Sequence, residues 1–332
     1  MICGISYFGV RNPKWVLKDM EEIYSKGFTH VLHTYSEEDL QYYEETMKEI
    51  IDSTTNLGLS VYVNPWGVGR VFGGEAYSEL ISKDHSLAQK DSSGNILPAV
   101  CPNKKEFHEY LYSWIEAVSK TKATHIFWDE PHFYFTKKNL NLFACQCDTC
   151  KKLFFEKYGY PLPNVLTEDV KDFRENCLID FLDKMTSFAK SKGKKNTVCL
   201  LPPWFPAGID NWDSIAKLKN VDEIACDPYQ EKGDTTETVK KYYRETSEKL
   251  MQLFRKYNKP VQMWIKNYSI ESGKETDIKV AIEETYKTGI KNIFAWSYLG
   301  TKYLSWLKSD NPEKVFEVLV ESLNECKAKE AF

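Results

Sequence analysis

Thr124-His125-Ile126-Phe127-Trp128-Asp129-Glu130-Pro131 is the stretch on which the fold turns. β-Branched and aromatic residues run without a break into two carboxylates, and Pro131 disfavours helix directly there. The stretch reads as a buried strand that hands two acids to the loop at its carboxyl end. Outward from it the chain repeats one unit, a short apolar run followed by a long segment with apolar residues at three- and four-residue spacing. Strands are predicted at Ile2–Phe8, Thr29–Tyr35, Ser60–Pro65, Thr124–Trp128, Thr197–Leu201, Glu223–Cys226, Val261–Ile265 and Asn292–Trp296. Amphipathic helices are predicted at Lys14–Ser25, Glu37–Asn56, Thr238–Tyr257, Asp277–Thr288 and Pro312–Cys326, with Lys26-Gly27 and Leu57-Gly58 as stops.

Strands alternating with helices imply a parallel sheet, and eight of them close it into a (β/α)8 TIM barrel. An open doubly wound sheet usually carries a glycine-rich phosphate turn after its first strand, and Phe8-Gly9-Val10-Arg11-Asn12-Pro13 is not one. The interval between strands about doubles on either side of the fourth, so long loops follow strands three and four. Barrel active sites are built from loops at the carboxyl ends of the strands, which makes these excursions the expected rim of a site. No linker or low-complexity tract interrupts the pattern, and residues 1–332 read as one barrel domain.

Composition narrows the partners. A net charge of −4 with both signs interspersed gives no footprint for nucleic acid, and no run approaches the roughly 18 apolar residues of a membrane span. The beginning of the chain, Met1-Ile2-Cys3-Gly4-Ile5-Ser6-Tyr7, lacks a basic leader, and the nine cysteines are not arranged as a disulfide framework. The expected compartment is the cytoplasm, and the sequence leaves a homo-oligomer open.

At the end of strand four, Glu130 sits beside Trp128 and Phe133, surroundings that raise a carboxyl pKa and suit a general acid for glycosidic bond cleavage. Such cleavage needs a second carboxyl across the bond. Asp129 is one candidate. Asp227, in Ile224-Ala225-Cys226-Asp227-Pro228-Tyr229, is the other, since strand six repeats the strand-to-acid transition, although Asp-Pro also initiates turns. Rings and polar tips at other strand ends, Tyr7, His33, Tyr35, Asn64, Trp66, His132, Trp204, Tyr229, Lys266, Asn267, Trp296 and Tyr298, offer the mixture a sugar pocket wants. Gly67-Val68-Gly69-Arg70 and Gly73-Gly74 suggest a loop mobile enough to act as a lid.

Cys145-Gln146-Cys147-Asp148-Thr149-Cys150 lies in the excursion after strand four and Cys101 in the one after strand three. Four thiolates can close a tetrahedral zinc site, with a set of buried thiols as the simpler alternative. This spacing, with the following Lys151-Lys152-Leu153-Phe154-Phe155-Glu156-Lys157-Tyr158-Gly159, resembles the zinc cluster and next helix of family 42 glycoside hydrolases, the β-galactosidase group. The resemblance covers roughly residues 101–159 and implies a structural zinc held by Cys101, Cys145, Cys147 and Cys150, with no organic cofactor. It also implies an acid/base glutamate at Glu130, preceded in that clan by asparagine where this chain has Asp129. The clan's nucleophile, a glutamate ending strand seven, has no counterpart in Met263-Trp264-Ile265-Lys266-Asn267-Tyr268, and Glu271 lies several residues further on. The leading expectation is thus a glycosidase acting on a carbohydrate. An inactive sugar-binding barrel, or another barrel enzyme such as a sugar isomerase or an aldolase using Lys266, stands as the alternative.

Overall fold

A computed structural model describes residues 1–73, 77–135, 142–205 and 207–330. Strands β1 (Ile2–Tyr7), β2 (His30–Thr34), β3 (Ser60–Asn64), β6 (His125–Trp128), β7 (Lys195–Leu200), β8 (Glu223–Cys226), β9 (Val261–Lys266) and β10 (Asn292–Trp296) close a parallel barrel in the order β1-β10-β9-β8-β7-β6-β3-β2. These are the eight strands expected from the sequence. The closing pair is β1 on β10, with Ile2 opposite Asn292 and Ile5 opposite Ala295.

Because successive side chains on a strand point to opposite faces, each strand divides its residues between the barrel lumen and the helices outside. Leu32, Tyr62, Phe127, Cys199, Ala225, Trp264 and Phe294 form the apolar filling of the lumen. Gly4 completes it, since a Cβ there would come within 2.3 Å of the Phe294 ring. Below this filling sits Glu223, fully enclosed, which accepts from Thr197 Oγ1 (2.9 Å), Gln262 Nε2 (3.1 Å), Tyr62 (3.3 Å) and Asn292. Burial lifts its carboxyl to about 7 against the donors that pull it down.

On the outside, α1 (Pro13–Ser25), α3 (Glu44–Asn56), α5 (Lys105–Ser119), α7 (Glu168–Ser191), α9 (Thr236–Tyr257), α10 (Thr276–Lys287) and α11 (Pro312–Ala328) cover the strands. Their ends are fixed locally: Asn12 caps α1 ahead of Pro13, Thr235 caps α9, and Asn258 ends α9 in the left-handed conformation. Among the described residues no helix is long and apolar enough to cross a membrane.

The helix expected over 37–56 is two, α2 (Glu37–Tyr42) and α3, which meet at Tyr43. Two acids of α2 are committed to tertiary partners. Asp39 pairs with Arg11 and closes a capping box with Ser36, while Glu37 accepts from the backbone N–H of Gly69 and Glu79. The long excursions are also structured. After β3 the chain forms α4 (Glu79–Lys83) and a hairpin of β4 (Ala88–Lys90) and β5 (Ile96–Val100). After β6 it forms α6 (Asp148–Tyr158), and the two excursions are joined by Gln146 N–H to Lys90 O at 2.8 Å and Tyr134 N–H to Gln89 Oε1 at 3.0 Å.

Candidate active site

At the carboxyl end of the barrel a cavity of about 110 Å³ opens above the lumen filling. Two-residue periodicity places its walls. Asn64 follows Tyr62, Asp129 follows Phe127, Asp227 follows Ala225 and Trp296 follows Phe294, each on the inward phase of its strand. Glu130 breaks that rule. Directly after an inward Asp129 it should point out, yet it lines the same cavity because its backbone lies in the left-handed region at φ 43°. This is a costly conformation for a non-glycine residue and persists only where neighbours over-determine it. They do so here: Glu130 N–H donates to Cys199 O (3.1 Å), His132 Nδ1 donates to Glu130 O (2.6 Å), and Gly73 N–H donates to Asp129 O (2.9 Å).

Three carboxylates are thereby brought together. Asp227 is hydrogen bonded to Glu130, and a Cβ on Gly73 would come within 2.9 Å of both Asp129 Oδ2 and Glu130 Oε2. Burial, followed by the charge and hydrogen bond of Glu130 and the charge of Asp129, pushes the Asp227 carboxyl well above the usual carboxylate range. A second negative charge is costly to hold in such proximity, which favours the protonated form of Asp227. The Cys199 thiol, itself held neutral by burial and by Asp227, lies 3.6 Å from Asp227 Oδ1 and donates to it. Asn64 Nδ2 reaches Asp129 Oδ2 at 3.4 Å, while Asn64 Oδ1 and Trp66 Nε1 have no partner among the described residues.

Aromatic rings enclose these acids. Trp296 stacks on Phe8 at 5.0 Å, the edge of Tyr268 meets Trp296 at 4.7 Å and that of Tyr229 meets Tyr268 at 5.5 Å, with Trp66 and Trp264 completing the wall. The arrangement can hold a neutral, hydroxyl-rich ring against aromatic faces while a proton is delivered at one side.

Of the residues expected at the site, Asp129, Glu130, Asp227, Asn64, Trp66, Tyr229 and Trp296 line this cavity. Tyr7, His33 and Tyr35 are on the outward phase. Tyr7 donates to Asp19, His33 is bonded to Thr54 at 2.9 Å and driven to about 3 by burial and Arg11, and Tyr35 packs on Trp114. Tyr298 is tied to Glu22. Trp204 stacks on Tyr242 outside the cavity lining, and Asn267 donates to Ser297 O. Lys266 donates to Gln230 O, and Glu271, paired with Lys232 at 3.5 Å, sits near it in a separate small pocket. His132 supports Glu130 from behind. Reading two residues back from Asp129 would have found Phe127, and the inward phase of β2 gives Leu32. Cys199 and Trp264 follow from the same phase rule, whereas Tyr268 lies beyond its strand and carries no such signal.

The glycine segment expected as a lid is packed against α2 and does not line the cavity. Val68 and Gly69 are fully buried, Gly67 N–H bonds to Gly73 O and Gly69 N–H to Glu37. Gly74, the last residue of that expectation, lies outside the described residues.

Cys101, Cys145, Cys147 and Cys150 converge in the joined excursions, all four buried, with their sulfurs within 4.8 Å of one another. Cys101 Sγ is 3.5 Å from Cys150 Sγ and 3.6 Å from Cys147 Sγ. Asn103 Nδ2 donates to Cys150 at 3.3 Å, and the half-buried Arg174 guanidinium donates to Ala144 O at 2.5 Å, next to Cys145.

No family model matches the sequence, and no curated protein matches it. Solved structures do match in fold. The endo-β-1,4-mannanase of Thermotoga petrophila superposes with a TM-score of 0.60 at 12% identity, over 99% of this chain and 77% of that one. GH5_18 of Streptomyces cattleya, solved with GlcNAc, gives 0.61 at 12%, over 99% and 80%. D-psicose 3-epimerase of Clostridium cellulolyticum, solved with D-tagatose, gives 0.53 at 11%, over 99% of both chains. At these identities the likeness establishes the barrel fold.

Proposed function

We propose that this chain hydrolyses a glycosidic bond with paired carboxylates. The observation that carries the reading is the hydrogen-bonded Asp227–Glu130 pair, with Asp129 beside it, inside a cavity walled by Trp66, Trp264 and Trp296. A glycosidase needs one carboxyl that holds its proton at neutral pH and one that is ionised, and the upward shift of the buried Asp227 suits it to the first role. The sequence points to Glu130 as the acid, whereas the buried proton favours Asp227 as its holder in the free protein. In this reading a sugar entering the cavity parts the pair. Asp227 protonates the leaving oxygen, Glu130 flanks the anomeric carbon as nucleophile or base, and Asp129, positioned by Asn64, accepts a hydroxyl hydrogen bond. Carboxyls that start in contact suit the short separation of retaining enzymes, roughly 5–5.5 Å, better than the wider inverting gap.

The cysteine cluster fits a structural zinc. Sulfurs about 2.3 Å from a tetrahedral ion stand about 3.8 Å apart, close to the separations above. Four protein thiolates leave no place for water, so the ion would staple the two excursions and supply no chemistry, while Arg174 and Asn103 offset the negative charge. Nine free cysteines suit a reducing compartment, the cytoplasm.

One observation favours a second reading. Ligand atoms of Asp129, Cys199 and Asp227 lie within 4.8 Å of one another, a grouping that would also hold a catalytic cation of a sugar isomerase or epimerase. A panel of chromogenic α- and β-glycosides, assayed with wild type, Glu130→Gln and Asp227→Asn and with the metal content measured, decides between them. Cleavage that survives EDTA and is lost in both variants supports the hydrolase. Cation-dependent interconversion of free sugars without cleavage supports the epimerase, and binding of sugars without any turnover would leave an inactive sugar-binding barrel.

A further inference from the structure

A second cavity, of about 240 Å³, lies beside the first at the ends of β1 and β10. Ser6, Tyr7, Phe8, Ser297, Tyr298 and Tyr303 are among its walls. The partition between the two cavities is the Phe8–Trp296 stack, one ring facing each side.

Two features say what this second space takes. Ser6 and Ser297 are 0% and 1% exposed, and their hydroxyls have no hydrogen-bond partner among the described residues. An unmet buried hydroxyl costs about 1–3 kcal/mol, so a cavity with two of them on its wall calls for a polar occupant. The ionic groups around it, by contrast, are already matched. Lys302 pairs with Glu313, and the hydroxyls of Tyr7 and Tyr298 donate to Asp19 and Glu22. What is left for a ligand is two neutral hydroxyls, the ring of Phe8 and the largely exposed ring of Tyr303, 81% accessible. Neutral donors beside ring faces fit a polyol and offer nothing to an anion.

We infer that this cavity is a second sugar subsite, which takes the neighbouring unit of an oligosaccharide whose reacting unit lies at Asp129, Glu130 and Asp227. Its chain continuity rests on the hydrolase reading, but its ligand chemistry rests on Ser6, Ser297 and the rings of Phe8 and Tyr303. The substrate class that follows is an oligosaccharide of two or more neutral units, crossing the top of the Phe8–Trp296 stack.

The test compares 4-nitrophenyl glycosides of glucose, galactose and mannose with those of cellobiose, lactose and mannobiose, on the wild type and on Ser6→Ala/Ser297→Ala. For the sugar that is cleaved, the wild type should prefer the disaccharide in kcat/KM, and the double variant should cut the disaccharide-to-monosaccharide ratio about 10-fold. Tyr303→Ala, a surface change, gives the same readout should the buried pair fail to fold. An unchanged ratio in the variants overturns the subsite while leaving hydrolysis in place. If no glycoside is cleaved, NMR titration of cellobiose, lactose and mannobiose separates the two ideas. Disaccharide binding weakened by the serine changes sustains the subsite although hydrolysis has failed, and binding that is absent or indifferent to them overturns it.

Discussion

The cysteine cluster and the carboxylate cluster both belong to the loop end of the barrel, yet they are assembled in opposite ways. Four thiols come from two excursions that are already tied backbone to backbone, and they converge at the spacing of a single tetrahedral ion. The carboxylates come from strands β6 and β8, which are not neighbours, and they surround an open space with aromatic walls. The difference separates holding from reacting. A cluster that satisfies itself contributes rigidity, whereas one whose members are left in conflict over a proton has free energy to spend on a ligand.

The contrast breaks most visibly if the carboxylates are dispensable. Asp227→Asn and Glu130→Gln should each lower kcat/KM by about 10²–10⁴-fold with little change in melting temperature, measured by steady-state kinetics beside thermal unfolding. Activity should also fall on the alkaline side as Asp227 gives up its proton. The thiols should behave the other way round. Cys147→Ser/Cys150→Ser, or chelation under denaturing conditions followed by refolding, should remove one zinc per chain and lower the melting temperature by about 10 °C or more, read by metal analysis and calorimetry.

A sharper version uses a carboxylate that sits inside the barrel but below the cavity. Glu223 has its folded pKa raised from 4.5 to about 7, so its contribution is complete below the unfolded value and is lost as pH rises through the folded one. Stability should therefore decline between about pH 4.5 and 7, by roughly 3 kcal/mol if no other group intervenes, and Glu223→Gln should flatten that slope in denaturant titrations. The smallest effect is expected on the outer phase. Tyr35→Phe should change kcat/KM by less than about 3-fold, against about 10-fold for Asn64→Ala, which removes a partner of Asp129. A Tyr35 effect as large as that of Asn64 would undo the division into inner and outer faces.

Much of this was legible in the chain because the fold is periodic. Each strand of a barrel is a local apolar run, and each helix stop is a local glycine or asparagine, so Gly27, Gly58 and Asn258 could be read without knowing their neighbours. The split at Tyr43 could not, since it is set by Arg11 on Asp39 and by Gly69 on Glu37, contacts 28 and 32 residues apart. Strand ends likewise announced Asp129 and Asp227, but listing every polar strand end also drew in Tyr7, His33 and Tyr35, which one further step of two-residue phasing assigns to the outside.

By itself, then, the sequence determined the eight strands, their closure into a barrel, the convergence of acids at one end and the grouping of four cysteines. Each of those follows from local pattern and from the geometry that a repeated strand and helix unit imposes. Only the tertiary structure decided that burial pushes the Asp227 carboxyl upward, that Glu130 turns inward at positive φ, that the glycine segment is packed against α2, and that a second cavity with two unmet serines lies behind Phe8. Proton affinity, backbone strain and unsatisfied hydroxyls are set by what surrounds a group in space, and residues far apart in the chain supply those surroundings.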